Sequence, residues 1–401
     1  MPTSPATELV HQTLLASVRL VLGTGQAEQL TQLAEQAIDW ALLRDVAQQH
    51  EVLPMVYDAL QATVPEHVPA NVLQTMRHSH EINTLRNLMM TGELVTISNA
   101  LGEAGILAAA LKGPALGAAV YDKPGLRVSR DLDIILDESR LQQALEIIYA
   151  HGYTLYSTSN HHHNLVNANR TNCIELHWRF AQQAWLPLDF ANYANKLETM
   201  QLGGSTLHVL APPDRLSYLC MHGHKHRWQR LKWLCDLTAF VVRHPDLEWE
   251  TLLEQPQSLK FRRMAYLGLR LAHSLLNAPV PAHVLAWADA DPVTGPLAAR
   301  AAPRYFENYL SAPELDDTYR LARISSPQEG TWQYLRDMAL WPFKPKRGDR
   351  ENLRLPRHLH FLYYPLRLFR VLFVPSPRRI KMLVGVVHLA WQEWRSGQTH
   401  S

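Results

Sequence analysis

Two acids stand one residue apart, Asp131 and Asp133, at the head of the apolar run RDLDIIL. Side chains two apart in a strand leave the same face, so the sequence sets two carboxylates side by side. Such a pair repels itself unless a cation lies between, and the alternative is an exposed strand edge with both acids solvated. Further on, CIELHWRF puts Glu175 and His177 on one strand face, with Ile174, Leu176 and Trp178 on the other. A third carboxylate supplied by a neighbouring strand would complete a hard-oxygen site suited to magnesium, which takes carboxylates, waters and substrate phosphates. Upstream, ILAAAL delivers Lys112 and Gly113 into a turn, with Pro114 placed to open a helix. Free backbone N–H groups there, and a glycine permitting close approach, make a phosphate cradle that Lys112 would reinforce. Arg127 and Arg130 flank the aspartates. A guanidinium fork in that place fits triphosphate oxygens, though one of the two could serve only to balance the acids.

A second group of residues follows Asp214. On one continuous helix, His222, His226, Gln229, Trp233 and Asp236 fall within about 40° of one line. Leu216, Leu219, Leu231, Leu234, Leu237 and Val241 occupy the core-facing arc. Bulk solvent would explain the His and Gln of this stripe. A cleft wall opposite the carboxylates explains the tryptophan better, with Trp233 stacking on a base and the histidines near phosphate or acceptor. The His222/His226 pair has zinc-ligand spacing but no identifiable third ligand, and His161, His162 and His163 read as loop histidines.

These residues need elements to hold them. Helical periodicity fills residues 1–90, as in TQLAEQAIDWALLRDVAQQH. Residues 91–212 alternate helix and strand: a helix closed by Gly105, strand ILAAAL, a short helix from Pro114, and strand VSRDLDIIL. A helix ended by Gly152 comes next, then strands at YTLYS, HNLVNA and CIELHWRF. Residues 213–325 read as helical, opening with a long helix capped by Asp214 and running to about Arg243. The segment 326–401 differs: eleven Lys or Arg lie between Lys344 and Lys381 against Asp349 and Glu351, interleaved with FLYYPLRLFRVLFV. Such a basic, aromatic, amphipathic stretch lies on an anionic membrane surface, meets a partner, or packs on its own domain.

Composition narrows the classes. With 401 residues, a net charge of +2 and 19% charged residues, the chain has a real core and no global signal for nucleic-acid binding. Three cysteines without metal-ligand spacing point to reduced thiols and a cytoplasmic setting. The N-terminus lacks a signal-peptide pattern, and no apolar run reaches the roughly 18 to 20 residues of a membrane span.

Taken in order, LKGPAL, VYDKPGLRVSRDLDIIL, IELHW and HGHKHRWQRLKWLCDL resemble an uncharacterised bacterial nucleotidyltransferase family within the DNA polymerase beta-like superfamily. The resemblance covers about residues 90 to 245. It implies an α+β fold, a nucleotidyltransferase mixed-sheet core embedded in helical N-terminal and C-terminal regions. It also implies nucleotide binding, ATP included, and attack of an acceptor hydroxyl on the α-phosphate of a nucleoside triphosphate with loss of pyrophosphate. Two Mg²⁺ ions would be held by Asp131, Asp133 and Glu175, with Glu175 assisting deprotonation of the acceptor. Lys112, Gly113, Arg127, Arg130 and Trp233 would bind nucleotide, and His177, His222, His226 and Asp236 would line the acceptor or phosphate cleft. Arg127 falls on the family's arginine. Gly113-Pro114 stands where the superfamily usually has Gly-Ser or Gly-Gly, and the third acid is Glu rather than the commoner Asp. The acceptor is a small molecule, a glycan precursor or a protein side chain. Two other readings stay open: a catalytically silent nucleotide-binding scaffold, and a peripheral accessory protein of a polysaccharide pathway at the inner membrane.

Overall fold

The computed structural model describes residues 4–180, 189–254, 259–307 and 362–366. The basic segment 326–401, apart from 362–366, lies outside them, as does the stretch 308–325. Five helices come first: α1 (Pro5–Val21), α2 (Ala27–Ala34), α3 (Trp40–Gln49), α4 (Leu53–Thr63) and the long α5 (Ala70–Glu103). The sheet region follows: β1 (Ala108–Ala110), α6 (Gly113–Val120), β2 (Leu132–Leu136), α7 (Leu141–Ala150), β3 (Tyr153–Thr158), β4 (His162–Asn167), β5 (Cys173–His177), β6 (Glu198–Leu202) and β7 (Ser205–Val209). Then come α8 (Pro212–Lys225), α9 (Leu231–Arg243), α10 (Trp249–Glu254), α11 (Leu259–Leu276), α12 (Ala282–Ala290) and α13 (Thr294–Ala301).

Local chemistry explains the boundaries. Ser4 caps α1 by accepting from the Thr7 amide at 3.2 Å, Pro5 occupies its first turn, and Val10, Leu14 and Val18 repeat at helical spacing on its buried face. At the end of α5, Gly105 adopts φ +68°, and the Ile106 amide reaches back to the Leu101 carbonyl at 2.9 Å.

The seven strands form one mixed sheet in the order β3-β4-β5-β2-β1-β7-β6. β2 runs parallel to β5 and β1 parallel to β7, while the other pairs are antiparallel. Strand β2 lies near the middle and is buried along its whole length. Leu132, Ile134 and Leu136 face a core built with Leu94, Ile97, Ala144 and Ile148 of α5 and α7. Ile135 joins Tyr218, Met221 and Met264 of α8 and α11 on the opposite side, and by parity Asp133 points the same way. The ladder of β3 with β4 jumps from the pair Leu155/Leu165 to Ser157/Asn164, so Tyr156 is an extra residue in a β-bulge.

The structure departs from the sequence reading in several places. β2 begins at Leu132, leaving Val128 to Asp131 as the approach to the strand. His162 and His163 belong to β4 and not to a loop, because β5 supplies a ladder for them. The structure adds the hairpin β6–β7, whose turn is Gly203-Gly204, both at positive φ. Asp214 sits in the first turn of α8, whose N-cap is Ala211. The single helix expected to Arg243 is two, because Arg227 and Trp228 adopt φ of 56° and 50°.

Residues from α1 to α5, from α6 and from α8 to α13 share one apolar cluster, so segments 1–90 and 213–305 contribute to a common core. No helix among the described residues is long and apolar enough to cross a membrane. Cys173, Cys220 and Cys235 are free thiols.

Candidate active site

Register, more than any single side chain, creates the site. In the parallel pair β2/β5, Asp133 lies opposite Glu175 and Ile135 opposite His177. The acid of one strand therefore stands beside the acid of the next, on the sheet face turned toward α8. Asp133 is 1% exposed. Its Oδ1 is 2.9 Å from the Lys112 ammonium and 3.4 Å from His177 Nε2, which in turn lies 3.3 Å from Glu175 Oε2. Asp133 Oδ2 is buried and accepts no hydrogen bond among the described residues. Lys112 is aimed at this carboxylate because β1 pairs antiparallel with β2, and the Leu111 amide bonds the Asp133 carbonyl at 2.9 Å. The turn that follows is tight. Gly113 has φ +61°, and a Cβ there would stand 2.9 Å from the Asp131 carbonyl oxygen.

Charge in this cluster is uneven. Burial alone would raise the pKa of Asp133, but Lys112 and His177 outweigh it and hold the acid well below the usual carboxylate range. Asp131, which lines the cavity, goes the other way: burial and the neighbouring Asp133 push it up to about 6. Glu175 is held below its ordinary value, the hydrogen bond from His177 overcoming the effect of burial. His177 is raised, since its two carboxylate partners exceed the burial that would lower it. One ligand atom each from Asp133, Glu175 and His177 lie within 4.8 Å of one another. Asp131 lines the same cavity but is not one of that group. The two grouped carboxylates and the orphaned buried oxygen of Asp133 fit a hard divalent cation.

The cavity above is lined by Asp131, Glu175, His222, His226 and Trp233 together with several cations. Although the helix breaks, part of the expected stripe survives. The rings of His226 and Trp233 stack with centroids 4.9 Å apart, and His222 meets Trp233 edge-on at 6.1 Å. Gln229 is exposed in the turn between the helices.

Asp236 is the correction. It is 2% exposed, and both its oxygens take hydrogen bonds from Arg127, at 3.0 Å from Nε and 3.0 Å from Nη2. Tyr121 donates to it as well at 2.9 Å. A projection at 100° per residue does not carry across residues of positive φ, so Asp236 leaves the cleft-wall stripe. Arg127 also bonds the Gly113 carbonyl at 3.3 Å and Ser129 Oγ at 3.1 Å. Its guanidinium touches the cavity but is committed to tying the Lys112–Gly113 turn to α9.

Glu51, a residue the sequence reading did not select, organises the other side. It is 3% exposed at the end of α3, and it holds Arg130 at 2.6 Å together with Arg230 and Lys232. Burial would raise its pKa, but the cations, Lys232 foremost, keep it below the ordinary value. Three cations on one acid leave a net positive wall along the cavity, which all three line. Nothing local in the sequence announces this contact, which joins residues 179 apart in the case of Arg230.

Residues 36–277, more than half of the chain, match the family described as an uncharacterised nucleotidyltransferase. No curated protein matches the chain. Similar solved structures include the antibiotic-resistance factor ANT(2'')-Ia, at 13% identity over 47% of this chain and 98% of that one, with a TM-score of 0.32. An antigenic nucleotidyltransferase-like protein from Paracoccidioides brasiliensis is similar at 13% identity, 60% and 96% coverage and a TM-score of 0.29. The apo form of a CCA-adding enzyme is similar at 8% identity, 74% and 93% coverage and a TM-score of 0.22. At these scores none of the three likenesses informs the site.

Proposed function

Because the chain belongs to the family of uncharacterised nucleotidyltransferases, we propose that it transfers a nucleoside monophosphate from a triphosphate to an acceptor hydroxyl, releasing pyrophosphate. The observation that carries this reading is the register of Asp133 against Glu175 on parallel neighbours, with Asp131 above them at a cavity walled by cations. Asp131, Asp133 and Glu175 would hold Mg²⁺, two ions in this reading. When bound, the metal offsets negative charge that develops as the α-phosphate is attacked.

The chain's own residues supply the rest. Arg130, Arg230 and Lys232 present excess positive charge to the triphosphate, and Glu51 keeps them together. The backbone turn at Lys112 and Gly113 opens α6 and offers its N–H groups to the phosphates. Trp233, backed by His226, offers a flat surface to a base. Glu175, kept ionised by His177, takes the proton of the acceptor hydroxyl. His222 is held neutral chiefly by burial and then by Lys112, which suits a hydrogen-bonding partner rather than a charge. The acceptor, in this proposal, is a lipid-linked glycan precursor met at an anionic membrane surface through the basic segment 326–401.

One feature favours a second reading. The Lys112 ammonium already neutralises Asp133, as it would in a protein that binds nucleotide without turning it over. Incubation with Mg²⁺ and each α-labelled triphosphate separates the two. Pyrophosphate release with label on the protein or a lysate component supports transfer, whereas saturable binding with neither supports the silent binder.

A further inference from the structure

His161 and His162, which the transfer reaction leaves unused, form a cluster with His177 of β5. In the antiparallel ladder of β4 with β5, His162 stands directly opposite His177. His161 precedes the strand in a bend, and its carbonyl accepts from two successive amides, Trp178 at 3.1 Å and Arg179 at 3.4 Å. Regular alternation would send His161 and His162 to opposite faces; the bend and the doubled contact cancel it, so neighbouring histidines converge on a third. The ring centroids of His162 lie 4.4 Å from His161 and 4.9 Å from His177.

Ser159 fixes which edges converge. Its Oγ is 3.3 Å from His161 Nδ1 and 2.9 Å from His162 Nδ1, so both Nε2 edges turn away from the bend. His161 is 5% exposed, and its Nε2 is buried with no hydrogen-bond partner among the described residues. His177 is 3% exposed, and its Nδ1 is buried and equally unpartnered there. Leaving such atoms unsatisfied carries a desolvation cost that a ligand would recover. One nitrogen from each of the three imidazoles lies within 4.8 Å of the others. Nitrogens around a tetrahedral ion bound at about 2.0 to 2.1 Å are roughly 3.3 Å apart, so small ring rotations close the site.

We propose that His161, His162 and His177 form a second metal site, selective for a transition ion of the zinc class. Imidazole donors favour such ions over Mg²⁺, which prefers oxygen. Three protein ligands leave a fourth position open, the arrangement of a reactive or substrate-binding ion rather than a structural one. His177 belongs to this group and to the group with Asp133 and Glu175. Bound through Nδ1, the ion leaves Nε2 facing the carboxylates, so His177 links a transition ion to the proposed Mg²⁺ site.

The test uses the full-length protein, freed of metal by chelation and titrated with Co²⁺, whose tetrahedral imidazole complexes absorb strongly in the visible. The expected result is one equivalent of absorbing Co²⁺, displaced by Zn²⁺ and not by millimolar Mg²⁺. His161→Ala and His162→Gln each weaken binding by roughly tenfold or more. His162 is only half-buried, so His162→Gln decides should His161→Ala fail to fold. Absence of the visible band, its displacement by Mg²⁺, or its persistence at unchanged affinity in folded His162→Gln overturns the site. No nucleotide enters this measurement, so a protein inert toward triphosphates can still pass it and an active one can still fail.

Discussion

Asp131 and Asp133 sit one residue apart yet feel opposite surroundings, and their substitutions should separate chemistry from stability. Asp133 is paired with Lys112 and His177, so Asp133→Asn leaves a buried ammonium without its counterion. That change should lower stability by about 3 kcal/mol. Asp131 pays for ionisation through burial and repulsion from Asp133, so Asp131→Asn should hold or raise the melting temperature in metal-free buffer. Both should abolish pyrophosphate release; retained turnover in either folded variant would remove the acids from the reaction. Glu51 allows a pH test away from these carboxylates. Its pKa is depressed in the folded state, so its stabilisation is present above the unfolded value of about 4.3 and fades as pH falls through the folded value. Glu51→Gln should cost on the order of 2 kcal/mol at neutral pH. The gap between its melting curve and that of the wild type should close in acid, and a gap that widened there would contradict the assignment.

At the scale of elements, strand parity made Glu175 and His177 legible as one face of β5 without knowledge of the sheet, whereas Asp131 lies just before β2 and outside that rule. The meeting of the acids depends on β2 and β5 being parallel neighbours in the register that sets Asp133 opposite Glu175. The Arg127–Asp236 pair was beyond reach because it closes over 109 residues, and because the break at Arg227 and Trp228 invalidates helical projection between His226 and Asp236. Left-handed backbone at two consecutive non-glycine residues leaves no trace in apolar periodicity. What holds the break in place is packing. Trp228 is fully buried against two glycines: a Cβ on Gly223 of α8 would come within 2.2 Å of its ring, and one on Gly268 of α11 within 2.4 Å. Tyr305 adds a hydrogen bond to the Trp228 carbonyl at 2.6 Å. Gly223→Ala or Gly268→Ala should each destabilise by about 1 to 3 kcal/mol through overpacking. Thermal unfolding of the pair together should show less than the sum, since both methyls push on one indole.

Across the whole molecule, the first helices and the last described ones enclose one core, which brings Glu51 to cations from two other parts of the chain. The segment 326–401 adds a long-range charge of its own, with eleven cations between residues 344 and 381. Each cation that reaches an anionic surface contributes about 1 kcal/mol, screened by salt. The full chain should float with anionic liposomes, should release them at high salt, and should ignore neutral ones. Equal recovery with both vesicle types would leave the membrane out of the acceptor's identity. The far end of the sheet has a different kind of partner to avoid. Among the described residues β3 is its terminal strand, with Leu155 and Tyr156 47% and 64% exposed, and an edge of that kind can template growth by a second copy. The extra residue at Tyr156 puts the amides and carbonyls of that edge out of step with any regular strand laid against it. An approaching copy meets a kinked template, and a continuous intermolecular sheet stops at its first rungs.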